Sequence, residues 1–117
     1  MLFFTLTNII QAQLPYPGID ATKVSPNTYK LLLENDYTRI VKVTAKPGDR
    51  DEWHSHMPMA VYIVTDMKIR IHTPDGKFTD MEGKAGQTMW MDGVEKHSME
   101  NMGSTDTNII LVEFKNL

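Results

Sequence analysis

The sequence predicts an all-β domain built as a sandwich, a barrel or a jelly roll, and three observations support this. From Val24 onward, short runs rich in Val, Ile, Thr and aromatic residues recur, as is typical of β-strands. Gly, Pro, Asn and Asp separate these runs and mark turns. After Val24, no stretch of ten or more residues repeats its apolar positions with the 3.6-residue period of an amphipathic helix. Short strands spaced by such turns favour closed or two-sheet antiparallel architectures.

The predicted strands follow one another closely along the chain. Pro47-Gly48-Asp49 turns the chain towards a short extended segment that carries His54 and His56. Pro74-Asp75-Gly76-Lys77 is a hairpin signal, because Gly readily adopts the positive φ that such turns require. The strand candidates are Tyr29–Glu34, Tyr37–Lys46, Ala60–Thr65, Lys68–Thr73, Lys77–Glu82, Gln87–Met91, Glu95–Glu100 and Asn108–Lys115.

Length and charge restrict the classes of function. The chain has 117 residues, which suits one compact domain, and its formal net charge is −3. Its Lys and Arg residues are scattered singly, whereas nucleic acids and anionic membranes require a concentrated basic patch, so neither is expected as a partner. No apolar run reaches the roughly 18 residues of a membrane helix. The absence of Cys excludes disulfides, thiolate metal ligands and a Cys nucleophile.

Residues 1–23 are predicted to lie outside the domain, which then spans residues 24–117. Residues 1–13 contain a short apolar stretch followed by Gln-Ala-Gln, like the end of a secretory signal, but lack the preceding Lys or Arg. Leu2, Phe4 and Leu6 also alternate with their neighbours, as in an added β-strand. Two alternatives stay open: a truncated signal of a periplasmic or otherwise exported protein, or an ordered arm of a cytoplasmic one.

Two predicted strands contain continuous apolar runs, within Ala60–Val64 and Asn108–Val112. Such runs are typical of strands that are covered on both faces. A single jelly roll buries only the inner face of each sheet, so the outer face is expected to meet the N-terminal arm or another subunit. We therefore expect a homodimer, with contacts from the arm. The arm residues expected at the contacts are Leu2, Phe3, Phe4 and Ile9 or Ile10.

Three histidines are the candidate metal ligands. His54 and His56 are two residues apart in an extended segment, so their rings project from the same face and can converge on one ion. His97 lies 41 residues after His56 in another predicted strand and is the candidate third ligand. Taken alone, the His-x-His pattern also fits a solvent-exposed pair on an edge strand, and that alternative stays open.

The surroundings of these histidines resemble the two conserved motifs of the cupin superfamily. The blocks are Pro47-Gly48-x5-His54-x-His56 and Gly86-x10-His97-x3-Asn101. The resemblance covers roughly residues 28–115 and is greatest to small single-domain cupins related to the β-alanine degradation protein, in stretches such as 46–49, 51–56 and 90–91. It implies a double-stranded β-helix, that is a jelly-roll barrel, often dimeric, with a divalent metal ion in the barrel mouth. The ligands that it implies are His54, His56 and His97.

The chain departs from this family pattern at a ligand. Cupins usually carry a Glu ligand four or five residues after the second His, where this chain has Ala60 and Val61. The Pro-x-Gly that usually precedes the last His is replaced by a different turn, 92–96. Three neutral imidazoles leave a divalent ion with its full charge, so an anionic further ligand is expected, such as hydroxide or a substrate carboxylate.

The expected function follows from this ligand set. An ion with three protein nitrogens and open positions is typical of a catalytic centre, since structural zinc is normally closed by four protein ligands. The resemblance implies a small metalloenzyme, a dioxygenase or a related lyase, isomerase or hydrolase, acting on a small organic acid with Fe, Zn, Mn, Ni or Cu. A non-catalytic cupin that binds a small molecule, with or without metal, is the alternative.

Methionines are expected around the site. The chain has nine, and Met59, Met89, Met91 and Met99, with Trp90, are predicted to line the pocket. Methionine fills irregular apolar pockets, which implies a small, largely apolar ligand with one metal-seeking end. Thioether and imidazole together also suit copper(I), so a copper-handling protein is a further alternative.

Three other residues are weaker candidates. Tyr62 is the candidate proton donor to a bound substrate if it points inward, and a packed core tyrosine is the alternative. Asp51 and Glu52 are candidates to accept an imidazole N–H, although a polar turn explains them equally well.

Overall fold

Nine strands and one short helix make up the part of the chain that the computed structural model describes, residues 16–116. The helix α1 is Ala21–Val24. The strands are β1 (Tyr29–Glu34), β2 (Thr38–Ala45), β3 (His54–His56), β4 (Met59–Ile63), β5 (Met67–His72), β6 (Phe78–Gly83), β7 (Thr88–Met91), β8 (Val94–Asn101) and β9 (Thr107–Phe114).

The strands form two antiparallel sheets, which confirms the predicted all-β fold class. The first sheet has the order β1-β2-β9-β4-β7, and the second has the order β3-β8-β5-β6. Each predicted strand is present, and most bounds shift by one or two residues, inward at some ends and outward at others. No helix within residues 16–116 is long and apolar enough to cross a membrane.

The core lies between the two sheets and follows the two-residue alternation of side chains. On β9, Thr107, Ile109, Leu111 and Glu113 are buried, while the residues between them are half-buried on the outer face. The same alternation buries every second residue of β2 and β4. The largest fully buried apolar side chains are Ile63, Val41 and Val43.

The two histidine blocks are joined to each other by backbone hydrogen bonds. The amide of Gly48 donates to the carbonyl of Asn101, and the amide of Asn101 donates to the carbonyl of Asp49, each at 2.9 Å. Gly48 has φ +83° and Gly86 has φ +87°, so the turn that opens each block requires the conformational freedom of glycine. These bonds bring the β3 and β8 histidines to one end of the second sheet.

Residues 16–24 contact the barrel directly, although the sequence places most of them in the arm. The backbone of Ile19 pairs with Ser55 on β3, and α1 follows, capped at its N-terminus by the Asp20 side chain. A Cβ at Gly18 would collide with the Ser55 hydroxyl, so glycine is required for this close approach. The expected arm contacts of Leu2, Phe3, Phe4, Ile9 and Ile10 lie outside the described residues.

An apolar row crosses the outer face of the first sheet. Its members are the register partners Leu33, Ile40, Val112, Ala60 and Trp90, one from each strand. Leu33 is 45% exposed and Trp90 is 50% exposed, whereas the three central residues are half-buried. This one row of the outer face is therefore apolar across the full width of the sheet.

Candidate metal centre

His54, His56 and His97 meet inside the barrel and are all buried. His54 and His97 are direct partners across β3 and β8, and His56 lies on the same face of β3 as His54. The ring centroids are 4.3 Å apart for His54 and His97, 4.8 Å for His54 and His56, and 5.1 Å for His56 and His97. One possible ligand nitrogen from each ring lies within 4.8 Å of the other two, so the group could hold a metal ion.

Backbone carbonyls orient two of the three rings. His54 Nδ1 lies 2.7 Å from the carbonyl oxygen of Glu52, and His97 Nδ1 lies 3.1 Å from that of Glu95. A carbonyl only accepts, so Nδ1 of each ring donates and Nε2 keeps its lone pair. His54 Nε2 is buried and has no hydrogen-bond partner among residues 16–116. A divalent ion would satisfy this nitrogen, so the donor set fits a metal.

Both of these histidines are neutral at physiological pH. Burial and, to a smaller extent, the neighbouring His56 together lower the pKa of His54 to about 4. Burial and the proximity of His54 likewise lower the pKa of His97 to about 4. Only a neutral imidazole coordinates a metal, so neither His54 nor His97 needs to lose a proton before it binds one.

A carboxylate that sequence analysis did not identify lies beside His56. Glu113 is 2% exposed, and its Oε1 lies 3.5 Å from His56 Nδ1. Burial opposes its ionisation, but His56 and a hydrogen bond from Tyr16 outweigh burial and keep the pKa of Glu113 below its ordinary value. One sequence signal was present: Glu113 is a charged residue in phase with the apolar Ile109 and Leu111 of β9.

Asp51 and Glu52 contribute to the site in different ways. Asp51 Oδ1 lies 3.6 Å from His54 Nδ1, but it accepts from the amide of Met99 at 2.7 Å, and Oδ2 accepts from the hydroxyl of Tyr29 at 2.6 Å. Glu52 supplies its backbone carbonyl to His54 rather than its carboxylate. The Tyr29 ring in turn lies 4.9 Å from the His54 ring, a contact that the sequence did not indicate.

A small apolar cavity of about 40 Å³ adjoins His56 and His97. The structure places the predicted Met59, Met89, Met91 and Met99 around it, together with Met67 and Met81. A cavity of this size has room for one or two water-sized molecules. A larger ligand enters only if the flexible methionine side chains move.

Tyr62 and Trp90 do not reach this cavity, which corrects the expected position of both. On β4, Met59 and Val61 point inward, so Tyr62 points outward and is 47% exposed. On β7, Trp90 lies on the outer face, packs 5.7 Å from the Phe114 ring and donates to Asp92 at 2.9 Å. The side-chain alternation of a strand separates both residues from the histidines.

A wider depression of about 550 Å³ lies on the other side of His56. It is lined by Pro17, Gly18 and Ile19 of the N-terminal segment, by Ser55 and His56, and by residues 93–96 at the start of β8. His56 therefore borders both the outer depression and the inner cavity.

Comparison with known proteins identifies the fold. No family model and no curated protein sequence matches the chain. A cupin domain from Bordetella pertussis Tohama I is 20% identical, with a TM-score of 0.68 over 74% of this chain and 91% of its own. An RmlC-like cupin family protein from Methanocaldococcus jannaschii, with a double-stranded β-helix fold, is 14% identical, with a TM-score of 0.60 over 74% of this chain and 78% of its own.

An enzyme is also among the similar structures. Oxalate decarboxylase from Bacillus subtilis, with Mn(II) centres, is 19% identical, with a TM-score of 0.52 over 69% of this chain. This chain matches 22% of the length of that enzyme. With two antiparallel sheets and these structural neighbours, the protein has the double-stranded β-helix fold of cupin domains.

Proposed function

We propose that this protein is a metal-dependent enzyme of cupin type that holds one divalent ion through His54, His56 and His97 and acts on a small organic acid. The observation that carries the proposal is the buried Nε2 of His54, which lacks a partner among residues 16–116 and belongs to a group of three buried histidines whose candidate ligand nitrogens lie within 4.8 Å of one another. The resemblance of the sequence to small cupins related to the β-alanine degradation protein supports the same class of protein.

The charge of the site supports an anionic substrate. Three neutral imidazole ligands would leave the +2 charge of the ion uncompensated within the ligand set. Glu113 is not one of the ligands and would offset this charge only from its position next to Nδ1 of His56. A bound divalent ion would supply Lewis acidity towards a carboxylate or water. The chain would hold this ion in a site that burial keeps away from bulk water.

The sizes of the two spaces determine where a substrate fits. The inner cavity of about 40 Å³ is too small for an organic acid, whereas the depression of about 550 Å³ beside His56 is large enough. Glu95 and Lys96 both line the depression, and a substrate carboxylate there would pair with the ammonium group of Lys96. We therefore place the substrate in the depression and at most one or two water-sized molecules in the inner cavity.

The methionines favour copper handling as a second candidate function. Six methionine side chains surround the inner cavity that two of the histidines also border. Thioether sulfur is a soft ligand that prefers copper(I), whereas the three imidazoles suit Zn, Fe, Mn, Ni or Cu(II). A non-catalytic cupin that binds an organic acid would use the same depression without turnover.

The apolar outer row leads us to propose a homodimer as well. Two copies that pack their first sheets together would cover the row from Leu33 to Trp90. No residue of this row is charged, so the row itself would place no charge in the interface. Such isologous pairing is the commonest form of assembly among soluble oligomers.

Metal analysis of protein purified without an affinity tag or chelator tests the proposed function. We expect close to one divalent ion per chain by inductively coupled plasma mass spectrometry after Zn²⁺ or Mn²⁺ is added and the excess removed. Copper(I) bound in preference to both, with sulfur ligands in the X-ray absorption spectrum, would favour the copper-handling function. Absence of any stoichiometric metal would contradict the metalloenzyme.

A further inference from the structure

A buried chain of polar contacts runs from the N-terminal segment to His56. The hydroxyl of Tyr16 donates to Oε2 of Glu113 at 2.7 Å, and Oε1 of Glu113 lies 3.5 Å from His56 Nδ1. The Glu113 and His56 side chains are each 3% exposed. A carboxylate is costly to bury without partners. The contacts with Tyr16 and His56 therefore hold the Glu113 carboxylate in one position.

We propose that Glu113 is a positioning residue for His56 and that Tyr16 holds Glu113 in place. The inference rests on the proposed function, in which His56 is a metal ligand. His56 Nδ1 is buried and makes no hydrogen bond with any group in residues 16–116, and the Glu113 carboxylate oxygen 3.5 Å away is the acceptor that we assign to a proton on Nδ1. That proton leaves Nε2 of His56 with its lone pair free for the ion.

The other two ligands support this assignment. Behind Nδ1 of His54 lies the carbonyl of Glu52, and behind Nδ1 of His97 lies the carbonyl of Glu95. Each of the three rings therefore has an oxygen acceptor behind it. At His54 the Glu52 carbonyl is closer than the Asp51 carboxylate, which lies 3.6 Å from Nδ1, whereas the oxygen beside Nδ1 of His56 belongs to the Glu113 carboxylate. An acceptor of this kind orients the ring and raises the basicity of the coordinating nitrogen, and a carboxylate does so more strongly than a carbonyl.

The position of Glu113 also explains how the site can lack an acidic ligand. Ala60 and Val61 stand where cupins usually carry a Glu ligand. Glu113 brings a negative charge close to the ion through His56 without taking a coordination position. More positions on the ion then remain open for the substrate.

Tyr16 makes the N-terminal segment part of the site. Besides its bond to Glu113, its hydroxyl lies 3.2 Å from the carbonyl of Ser55 and accepts from the amide of Met57 at 3.3 Å. The guanidinium of Arg39 lies 4.6 Å from the centre of the Tyr16 ring. Ser55 and Met57 precede and follow His56 in the chain, so these contacts hold the Tyr16 hydroxyl beside His56. Removal of the Tyr16 hydroxyl should therefore loosen Glu113 without removing any metal ligand.

The first experiment compares Zn²⁺ affinities of the full chain by competition with a chelating dye. We expect Glu113→Gln to weaken Zn²⁺ binding by about 10- to 100-fold, as is usual for loss of a partner behind a ligand, and Tyr16→Phe to weaken it by a smaller factor. Tyr37→Phe is the matched control, because Tyr37 is 79% exposed, lies in the turn between β1 and β2 and is not a member of the histidine group. Its affinity should equal that of the wild type.

A second experiment needs no metal. Imidazole ¹⁵N NMR shifts of the metal-free protein should show His56 with its proton on Nδ1, and Glu113→Leu should abolish that preference. Because this readout is independent of binding, it decides the inference even if the wild-type protein fails to bind Zn²⁺ and the proposed function fails. If Glu113→Gln does not fold, as judged by circular dichroism, Tyr16→Phe decides the affinity comparison.

Three results would overturn the inference. The first is a Zn²⁺ affinity within twofold of wild type in both Glu113→Gln and Tyr16→Phe. The second is a proton on Nε2 of His56 in the metal-free wild-type protein. The third is a drop in coordination number in the Co²⁺ absorption spectrum of Glu113→Gln, since that would make Glu113 a ligand rather than a positioning residue.

Discussion

His54 and His97 face each other as direct partners across β3 and β8, with their ring centroids 4.3 Å apart. The pairing follows from the hydrogen bonds that join the two histidine blocks, including that from the amide of Asp51 to the carbonyl of Met99 at 3.0 Å. Two imidazoles thus converge from neighbouring strands, whereas His54 and His56 converge from one strand. The site is therefore defined by strand register and does not depend on a mobile loop.

Loss of His97 should abolish stoichiometric metal binding. His97→Ala removes one of three ligands while the apolar core between the sheets is retained, so the variant should fold but bind Zn²⁺ at least about 100-fold more weakly. Isothermal titration calorimetry measures this. His72→Ala is the matched control, since His72 lies outside the group and pairs with Glu100. Wild-type affinity in His97→Ala would contradict the three-histidine site.

Val61→Glu should restore an acidic ligand, and Ala60→Glu should not. Val61 is 3% exposed and lines the inner cavity with His56 and His97, whereas Ala60 lies on the outer face of the same strand. Without metal, the buried carboxylate of Val61→Glu should lower the free energy of unfolding by about 2–4 kcal/mol. With Zn²⁺, this variant should bind more tightly than wild type and take up azide less readily.

The melting temperatures with and without Zn²⁺ measure this effect, because a ligand that binds the native state stabilises it by an amount that grows with the logarithm of its affinity. The Zn²⁺-induced increase should be larger in Val61→Glu than in wild type and unchanged in Ala60→Glu. Equal increases in the two variants would show that a carboxylate at position 61 does not reach the ion.

Acid should destabilise the metal-free protein well above the pH at which its carboxylates titrate. Burial lowers the pKa of His54 and of His97 to about 4 in the native state, against about 6.5 in the unfolded chain. Between these values the unfolded state binds more protons, so stability is complete above pH 6.5 and falls as the pH drops towards 4. The loss is on the order of 3 kcal/mol for one histidine, and less for the second because the two are coupled.

Urea unfolding of the chelator-treated protein at several pH values measures this slope. The double variant His54→Gln/His97→Gln should show a much shallower decline over the same range, because its side chains at these positions do not titrate. A wild-type free energy of unfolding that is constant from pH 6.5 to pH 4.5 would contradict the burial of neutral imidazoles.

Val112→Lys should convert the proposed homodimer to a monomer. Val112 is the central member of the apolar outer row, so a buried ammonium there would oppose pairing of two first sheets. Size-exclusion chromatography with light scattering measures the mass. Thr79→Lys, an exposed position on β6 of the other sheet, should leave the mass unchanged. A monomeric wild-type protein at micromolar concentration would contradict the dimer.

The sequence determined the strands and the histidine group, because both depend on local periodicity. Side chains alternate every two residues along any strand, so the spacing of His54 and His56 placed both rings on one face without knowledge of the fold. The glycines at positions 48 and 86 marked the turns that open the two blocks, and both have positive φ in the structure. The helix α1 escaped prediction because its four residues are too short to show a helical period.

Only the tertiary structure decided which face of an all-apolar strand points inward. Every residue within Ala60–Val64 is apolar, so the sequence pattern does not show which of them face the core. The pairing of β4 with β9 and β7 decides that Tyr62 lies on the outer face. Glu113 reached His56 for a related reason. It lies 57 residues after His56 in the chain, and a contact over that separation is fixed by sheet order and register, which no local pattern encodes.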